Sequence, residues 1–295
     1  MNSFTKKKIL ITGGTGYLGS NIINTLKDRF DFILLKRNRS NLSRIINTIP
    51  YLKVFNIEDL SVELIKSLDI DIILHCATHY GRKDENPVEI IEANLMLPLR
   101  LLSLCKEANK NIKFINTDTI LDKNINVYSL SKSQFKDWMK FFSNEIGFIN
   151  LQLEHFYGPA DDKTKFVSYL VDSFINDVPV LNLTKGEQSR YFTYVDDVVS
   201  AFEIVIDHID SFKIGFTEYQ VSSDEPVQLK TFVIKVKQLT NNSNTNLNFG
   251  TIPYRNNELM NFKVDCSALK KLGWKPQIDL EQGLAITIKK DKLKL

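Results

Sequence analysis

The stretch Ile9-Leu10-Ile11-Thr12-Gly13-Gly14-Thr15-Gly16-Tyr17-Leu18-Gly19-Ser20 limits most sharply what this chain can fold into. An apolar run stops at Thr12 and glycines follow. Asn21-Ile22-Ile23-Asn24-Thr25-Leu26 then continues at helical spacing. A glycine turn between a strand and a helix lets backbone approach a pyrophosphate, and it sets that anion on the positive end of the helix. Two registers fit, Gly14-x-Gly16-x-x-Gly19 and Gly13-x-x-Gly16-x-x-Gly19, and the sequence does not say which glycine turns and which packs. The flanking strand and helix favour a dinucleotide site over an ordinary strand-turn-helix.

Strand-like and helix-like runs alternate beyond this turn. Asp31–Leu35, Leu52–Phe55, Asp71–Ala77 and Asn111–Asn116 read as strands two to five. The fourth is nearly all apolar, as for a strand buried on both faces of a parallel sheet. Pro87–Ala108 reads as one long helix. The alternation predicts an α/β fold with a doubly wound parallel sheet and right-handed crossovers. In the second half, Asp161–Val178 reads as a helix with surface acids over a buried face of Phe166, Leu170 and Phe174. Tyr194–Asp210 reads as a return to the sheet domain, Tyr219–Ser222 as a strand and Asn241–Asn246 as a polar surface loop. The expected division is a dinucleotide-binding domain of residues 1–155 and 191–212, and a smaller C-terminal substrate lobe of 156–190 and 213–295.

Composition closes off other classes. With 295 residues, 43% hydrophobic and 25% charged, the chain can bury a large core. Its net charge of +3 is small and no basic run is interleaved with aromatics, so no nucleic-acid partner is expected. The Lys289–Lys294 tail reads as a solvated end. Cys76, Cys105 and Cys266 are odd in number and far apart, which predicts free thiols in the cytoplasm and no metal site. The first apolar run is too short for a signal peptide, and no stretch is long enough to span a membrane.

Two further features carry chemistry. The second strand ends on Lys36-Arg37-Asn38-Arg39, where an NAD-binding unit usually has an acid for the ribose 2′-hydroxyl. Cations there suit a 2′-phosphate, so NADPH (NADP+) is expected rather than NAD. Asn56, after the third strand, is placed to touch the adenine. Thr117-Asp118-Thr119 follows the fifth strand at the sheet's ligand-binding end, and Tyr128-Ser129-Leu130-Ser131-Lys132 opens a helix. Tyr128 and Lys132 share a helical face. A lysine cation favours the phenolate and lowers the tyrosine's pKa from about 10 toward the range of acid-base work.

At these residues the chain resembles the extended short-chain dehydrogenase/reductases, especially those acting on nucleotide-diphosphate sugars. The matching segments are Thr12-Gly13-x-x-Gly16-x-x-Gly19, Phe156-Tyr157-Gly158-Pro159, Arg190–Val198 and Leu272-Gly273-Trp274-Lys275-Pro276. Tyr80-Gly81-Arg82, Leu153–Gly158 and Asn257-Glu258-Leu259-Met260 are closer still to the CDP-paratose and CDP-abequose synthases. The resemblance implies Thr117, Tyr128 and Lys132 as the catalytic set, with Asn94 propping up the site. It implies Gly13, Thr15, Gly16, Tyr17, Leu18, Gly19, Arg37, Asn56, Ala77 and Lys132 for the cofactor. Tyr80, Asp118, His155, Arg190 and Arg255 are implied for a nucleotide-diphosphate sugar. The activity implied is reduction of the C4 ketone of a 4-keto-6-deoxy or 3,6-dideoxy hexose on CDP, for O-antigen synthesis.

Two departures are informative. The sugar 4,6-dehydratases carry Asp-Glu after the catalytic Thr, whereas here Asp118 is followed by Thr119, which removes the base for elimination. The relatives usually have Asn where this chain has His155. The rival readings are a 4-epimerase that keeps its NAD and a non-catalytic NADP(H) sensor. The complete Thr117, Tyr128 and Lys132 set argues against the sensor. The sequence leaves the nucleotide and the oligomeric state open, a homodimer being one option.

Overall fold

A computed structural model describes residues 6–81, 86–108, 111–255 and 258–293; Arg82, Asn257 and Lys294 lie outside this set. The chain opens with β1 (Lys8–Thr12), α1 (Tyr17–Leu26), β2 (Asp31–Lys36), β3 (Lys53–Asn56), α2 (Val62–Ser67) and β4 (Ile72–His75). Next come α3 (Pro87–Ile91), a π-turn (Glu92–Met96), α4 (Leu97–Glu107), β5 (Lys113–Thr119), α5 (Val127–Phe141) and β6 (Gly147–Leu153). The second half has β7 (His155–Tyr157), α6 (Phe166–Ile175), β8 (Val180–Leu183), β9 (Ser189–Arg190), β10 (Phe192–Tyr194) and α7 (Val195–Asp207). It ends with β11 (Gly215–Val221), β12 (Val227–Gln228), α8 (Leu229–Leu239), β13 (Asn246–Phe249), α9 (Ser267–Lys271) and α10 (Leu280–Lys292). Among these residues no helix is long and apolar enough to cross a membrane.

One compact unit comprises Met1–Leu153 and Phe202–Tyr219. Its sheet has the strand order β11-β6-β5-β4-β1-β2-β3, with the neighbouring pairs from β6 to β3 all parallel. The order reverses between β1 and β4, the place where open α/β sheets hold ligands at their carboxyl ends. Register sorts the side chains of one face into rows. Leu10, Ile73, Phe114 and Phe148 lie side by side across β1, β4, β5 and β6. They are packed by Leu101 and Leu102 of α4 and by Phe135 and Met139 of α5. One pleat farther toward the carboxyl ends, the next row is Thr12, His75, Asn116 and Asn150. All four are polar and fully buried.

The second unit comprises Glu154–Ala201 and Gln220–Leu295. It is built from small pairings, β7 with β10, β9 with β12 and β8 with β13. Asp197 knits together two distant segments of the sequence. Its carboxylate accepts from the backbone N–H groups of Gln277 (2.8 Å) and Ile278 (3.0 Å). Its carbonyl accepts from Trp274 Nε1 (3.0 Å).

Three readings of secondary structure are corrected. Pro87–Ala108 is not one regular helix. Pro98 has no N–H to offer the carbonyl of Asn94, four residues back, and the chain widens into a π-turn there. Asp161 does not sit on a helix surface: it is buried beside Lys165 (2.9 Å), and α6 starts only at Phe166. Asn241–Asn246 is not wholly exposed, since Thr245 is buried and Asn246 begins β13.

Candidate functional site

The glycine turn is fixed by close approach. Gly13 has φ +69°, and a Cβ there would lie 2.4 Å from the Ala77 nitrogen, where β4 ends beside it. A Cβ on Gly19 would lie 2.4 Å from the Gly13 carbonyl oxygen, and one on Gly14 2.7 Å from the side chains of Ile23 and Leu34. Gly16 differs, because its nearest neighbour would be the Gly13 oxygen at 3.2 Å. Thus Gly13 turns, Gly14 and Gly19 pack, and Gly16 meets only the Gly13 oxygen, in a tight contact rather than a clash. No side chain caps α1 at Gly16 and its first turn holds no acid. That arrangement suits an anion. Tyr17, Leu18 and Gly19 form the first turn itself.

At the end of β2, Arg37 and Arg39 are exposed, while Lys36 donates to Asn56 Oδ1 (3.0 Å). Asn56 in turn donates to Asp59 (3.1 Å). The guanidinium of Arg44, which the sequence did not single out, lies 5.3 Å from the ring centre of Tyr17.

α5 is set by a capping box. Asn126 accepts from the Ser129 N–H (2.8 Å), and Ser129 Oγ accepts from the Asn126 N–H (3.2 Å). This fixes Tyr128 in the first turn and Lys132 one turn later. Asn94, in the π-turn, accepts from the His79 N–H (2.8 Å) and donates to the His79 carbonyl (2.9 Å) and Ser131 Oγ (3.0 Å). Ser131 donates to the Tyr128 carbonyl (2.7 Å). The loop after β4 is thereby stapled to the turn that carries Tyr128. On that loop, the Tyr80 ring lies 5.1 Å from the Tyr128 ring.

Lys132 is 1% exposed, and its Nζ has no hydrogen-bond partner among the described residues. Burial pulls its pKa below that of an ordinary lysine, opposed by Asp118 and then Cys76. A buried ammonium fits the hydroxyls of a bound ribose, and the uncapped helix start at Gly16 fits a pyrophosphate. Thr117 donates to Cys76 Sγ (3.4 Å). Burial pushes that thiol up to about 11. His75 Nδ1 bonds Thr12 Oγ1 (2.8 Å), and burial followed by the nearby Lys132 charge holds its pKa well below the usual histidine value.

Asp118 is buried and faces the sheet interior with Asn116 and Asn150. Its Oδ1 accepts from the Thr119 N–H (2.8 Å) and its Oδ2 from Asn150 Nδ2 (2.8 Å). Thr119 Oγ1 accepts from the Leu121 N–H (3.2 Å). The remaining expected residues belong to the second unit. His155 Nδ1 bonds the buried Glu154 (2.8 Å) and its ring is half-exposed. Arg190 donates to Glu258 and to the carbonyls of Ser189 (2.7 Å) and Leu259 (2.6 Å). Arg255 is exposed. The sequence reading passed over His75, Asn116 and Asn150. The available signal was Phe114-Ile115-Asn116 repeated as Phe148-Ile149-Asn150, an asparagine at the same phase of two apolar strands.

A doubly wound sheet with a glycine turn at its switch point and a Tyr-x-x-x-Lys helix after its fifth strand defines an oxidoreductase-type enzyme, an extended short-chain dehydrogenase/reductase. The chain belongs to the NAD dependent epimerase/dehydratase family, which matches residues 9–219. It is 31% identical to the CDP-abequose synthase of Salmonella typhimurium, over 98% of this chain and 99% of that one. It is 33% identical to the CDP-abequose synthase of Salmonella muenchen, over 94% and 96%. Among solved structures, UDP-glucose 4-epimerase from Thermotoga maritima with UDP-glucose superposes with a TM-score of 0.83 at 20% identity, over 97% of this chain and 99% of that one. UDP-glucuronic acid 4-epimerase from Bacillus cereus, in complex with UDP-glucuronic acid and NAD, gives 0.83 at 18%, over 98% and 100%.

Proposed function

We propose that the protein modifies a nucleotide sugar, reducing the C4 ketone of a CDP-linked 4-keto-6-deoxy or 3,6-dideoxy hexose with NADPH. The observation that carries this reading is the near full-length similarity to CDP-abequose synthases. NADPH bound at the glycine turn supplies the hydride. Arg37 meets its 2′-phosphate and Asn56 its adenine. Tyr128 gives its phenolic proton to the new alkoxide, and Thr117 steadies that oxygen. Lys132 holds the nicotinamide ribose and favours the tyrosinate that remains. Thr119 offers a hydroxyl where elimination needs a carboxylate, which supports reduction over dehydration.

The first unit is assigned to the cofactor and the second to the nucleotide sugar. Arg190 is the residue proposed for the diphosphate, whose oxygens suit a planar guanidinium fork. Glu258 is its present partner and gives way to the substrate. The product belongs to O-antigen synthesis in the cytoplasm. The test supplies NADPH with a panel of CDP- and dTDP-4-keto sugars and follows absorbance loss and product stereochemistry. Turnover of a CDP sugar is expected. Interconversion of C4 epimers without net NADPH oxidation overturns the reading.

A further inference from the structure

Lys132 presents an electrostatic problem that the reaction does not explain. An ammonium taken out of water is disfavoured unless an opposite charge compensates it. Yet Lys132 Nζ makes no hydrogen bond to the described residues. Among the described residues, the titratable groups that its charge meets are Asp118 from β5, Cys76 just after β4 and His75 at the end of β4, with Tyr128 and Lys136 one turn away on either side along α5. His75 is held neutral by burial. The carboxylate in this set is Asp118, and Glu218 of β11 lies beyond it.

Asp118 is held firmly and at a distance. Asn150 donates from its amide to both Asp118 Oδ2 (2.8 Å) and Glu218 Oε2 (2.7 Å). Asn116 donates to Asn150 Oδ1 (2.7 Å), which fixes which way that amide points. Lys136 Nζ lies 3.9 Å from Asp118 Oδ2 and 3.5 Å from Glu218 Oε2. Two lysines therefore balance two carboxylates. Burial raises the Asp118 pKa, and Lys132 is the first of the groups that oppose this rise.

We propose that Asp118 is a positioning residue, the through-space counter-charge that keeps Lys132 an ammonium. Asn116, Asn150, Glu218 and Lys136 hold its carboxylate in place. A direct ion pair would consume the N–H groups that Lys132 offers to ribose hydroxyls. A carboxylate set back in the sheet stabilises the charge and leaves those donors available. This gives Asp118 a role other than the substrate contact expected from the sequence, and it rests on the reading that Lys132 holds the cofactor.

The test uses the full chain and measures NADPH affinity by fluorescence from pH 6 to 10, with kcat and KM in parallel. In Asp118→Asn, the alkaline loss of NADPH affinity and of kcat moves about one pH unit lower, as for removal of one nearby opposite charge. The sugar KM at pH 6.5 stays unchanged. Glu218→Gln, which removes the charge that shares Asn150 and Lys136 with Asp118, gives a smaller shift in the same direction. Lys136→Met, which removes the competing cation beside Asp118, moves the alkaline limb upward and keeps the proposal testable if Asp118→Asn does not fold. An unshifted profile overturns the proposal, as does a raised KM at every pH without a shift, which marks a substrate contact. The binding profile needs no sugar, so failure of the proposed reaction is seen separately, as absence of NADPH oxidation by wild type.

Discussion

Two adjacent rows on one face of the sheet differ only by a step of two residues along each strand. Leu10, Ile73, Phe114 and Phe148 form the apolar row, and Thr12, His75, Asn116 and Asn150 the polar one. Both rows are buried. The first packs against α4 and α5 and contributes dispersion and hydrophobic burial. The second takes polar groups out of water, and Thr12 bonds His75 while Asn116 bonds Asn150, which offsets part of that cost. The same sheet is thus a core at one level and an electrostatic support at the next. Its stability and its chemistry should fail separately.

The largest effect expected is on chemistry alone. Tyr128→Phe keeps the ring and removes the acid, so ketone reduction should fall about 10²–10⁴-fold. NADPH affinity and melting temperature should hardly move. Near wild-type NADPH oxidation by this variant, measured with a 4-keto sugar, would sink the proposed proton transfer. The converse change is Phe114→Ala in the apolar row. It should cost about 3–5 kcal/mol in urea unfolding, as a large cavity in a packed core. The molecules that stay folded should bind NADPH as before; a selective loss of NADPH affinity with unchanged stability would erase the distinction between the rows.

Arg37 stands off both rows. Arg37→Ala should weaken NADPH by about 10- to 150-fold, or roughly 1.5–3 kcal/mol, and leave NADH untouched. Parallel titrations decide this, and equal NADPH and NADH affinities in wild type would refute the preference.

The smallest effect concerns His75. Its folded pKa is depressed below the unfolded value of about 6.5, so the unfolded chain binds more protons once the pH drops under 6.5. Stability from this group is full above that pH and is lost as pH falls, by up to about 1.4 kcal/mol per pH unit. Comparing urea midpoints of wild type and His75→Leu from pH 7 to 5 checks the sign. A wild-type slope no steeper than that of the variant contradicts it.

Three members of the apolar row, Leu10, Ile73 and Phe114, lie on runs that read as strands in the sequence, whereas the strand of Phe148, Gly147–Leu153, was not read as one. The glycine turn was legible, although not the division of labour within it. That depended on β4 ending against Gly13, a contact between residues more than sixty apart. The polar row was hidden because its members stand singly on four separate strands, Thr12 and His75 at the ends of β1 and β4 and Asn116 and Asn150 in the middle of β5 and β6, and only register shows them to be neighbours. Asn94 was read as a prop, but its π-turn depends on Pro98 interrupting an otherwise regular helical pattern. The small pairings of the second unit escaped because two- to four-residue strands carry too little periodicity to be seen.

The central claim is that hydride passes from the nicotinamide to a sugar C4 ketone. It is tested most directly by a turnover with a CDP-linked 4-keto-6-deoxy sugar and NADPH deuterated at both C4 hydrogens. The account predicts one deuterium at C4 of the product alcohol, with one NADPH oxidised for each alcohol formed. A C4 alcohol without deuterium, or epimerised sugar with no NADPH consumed, would contradict it.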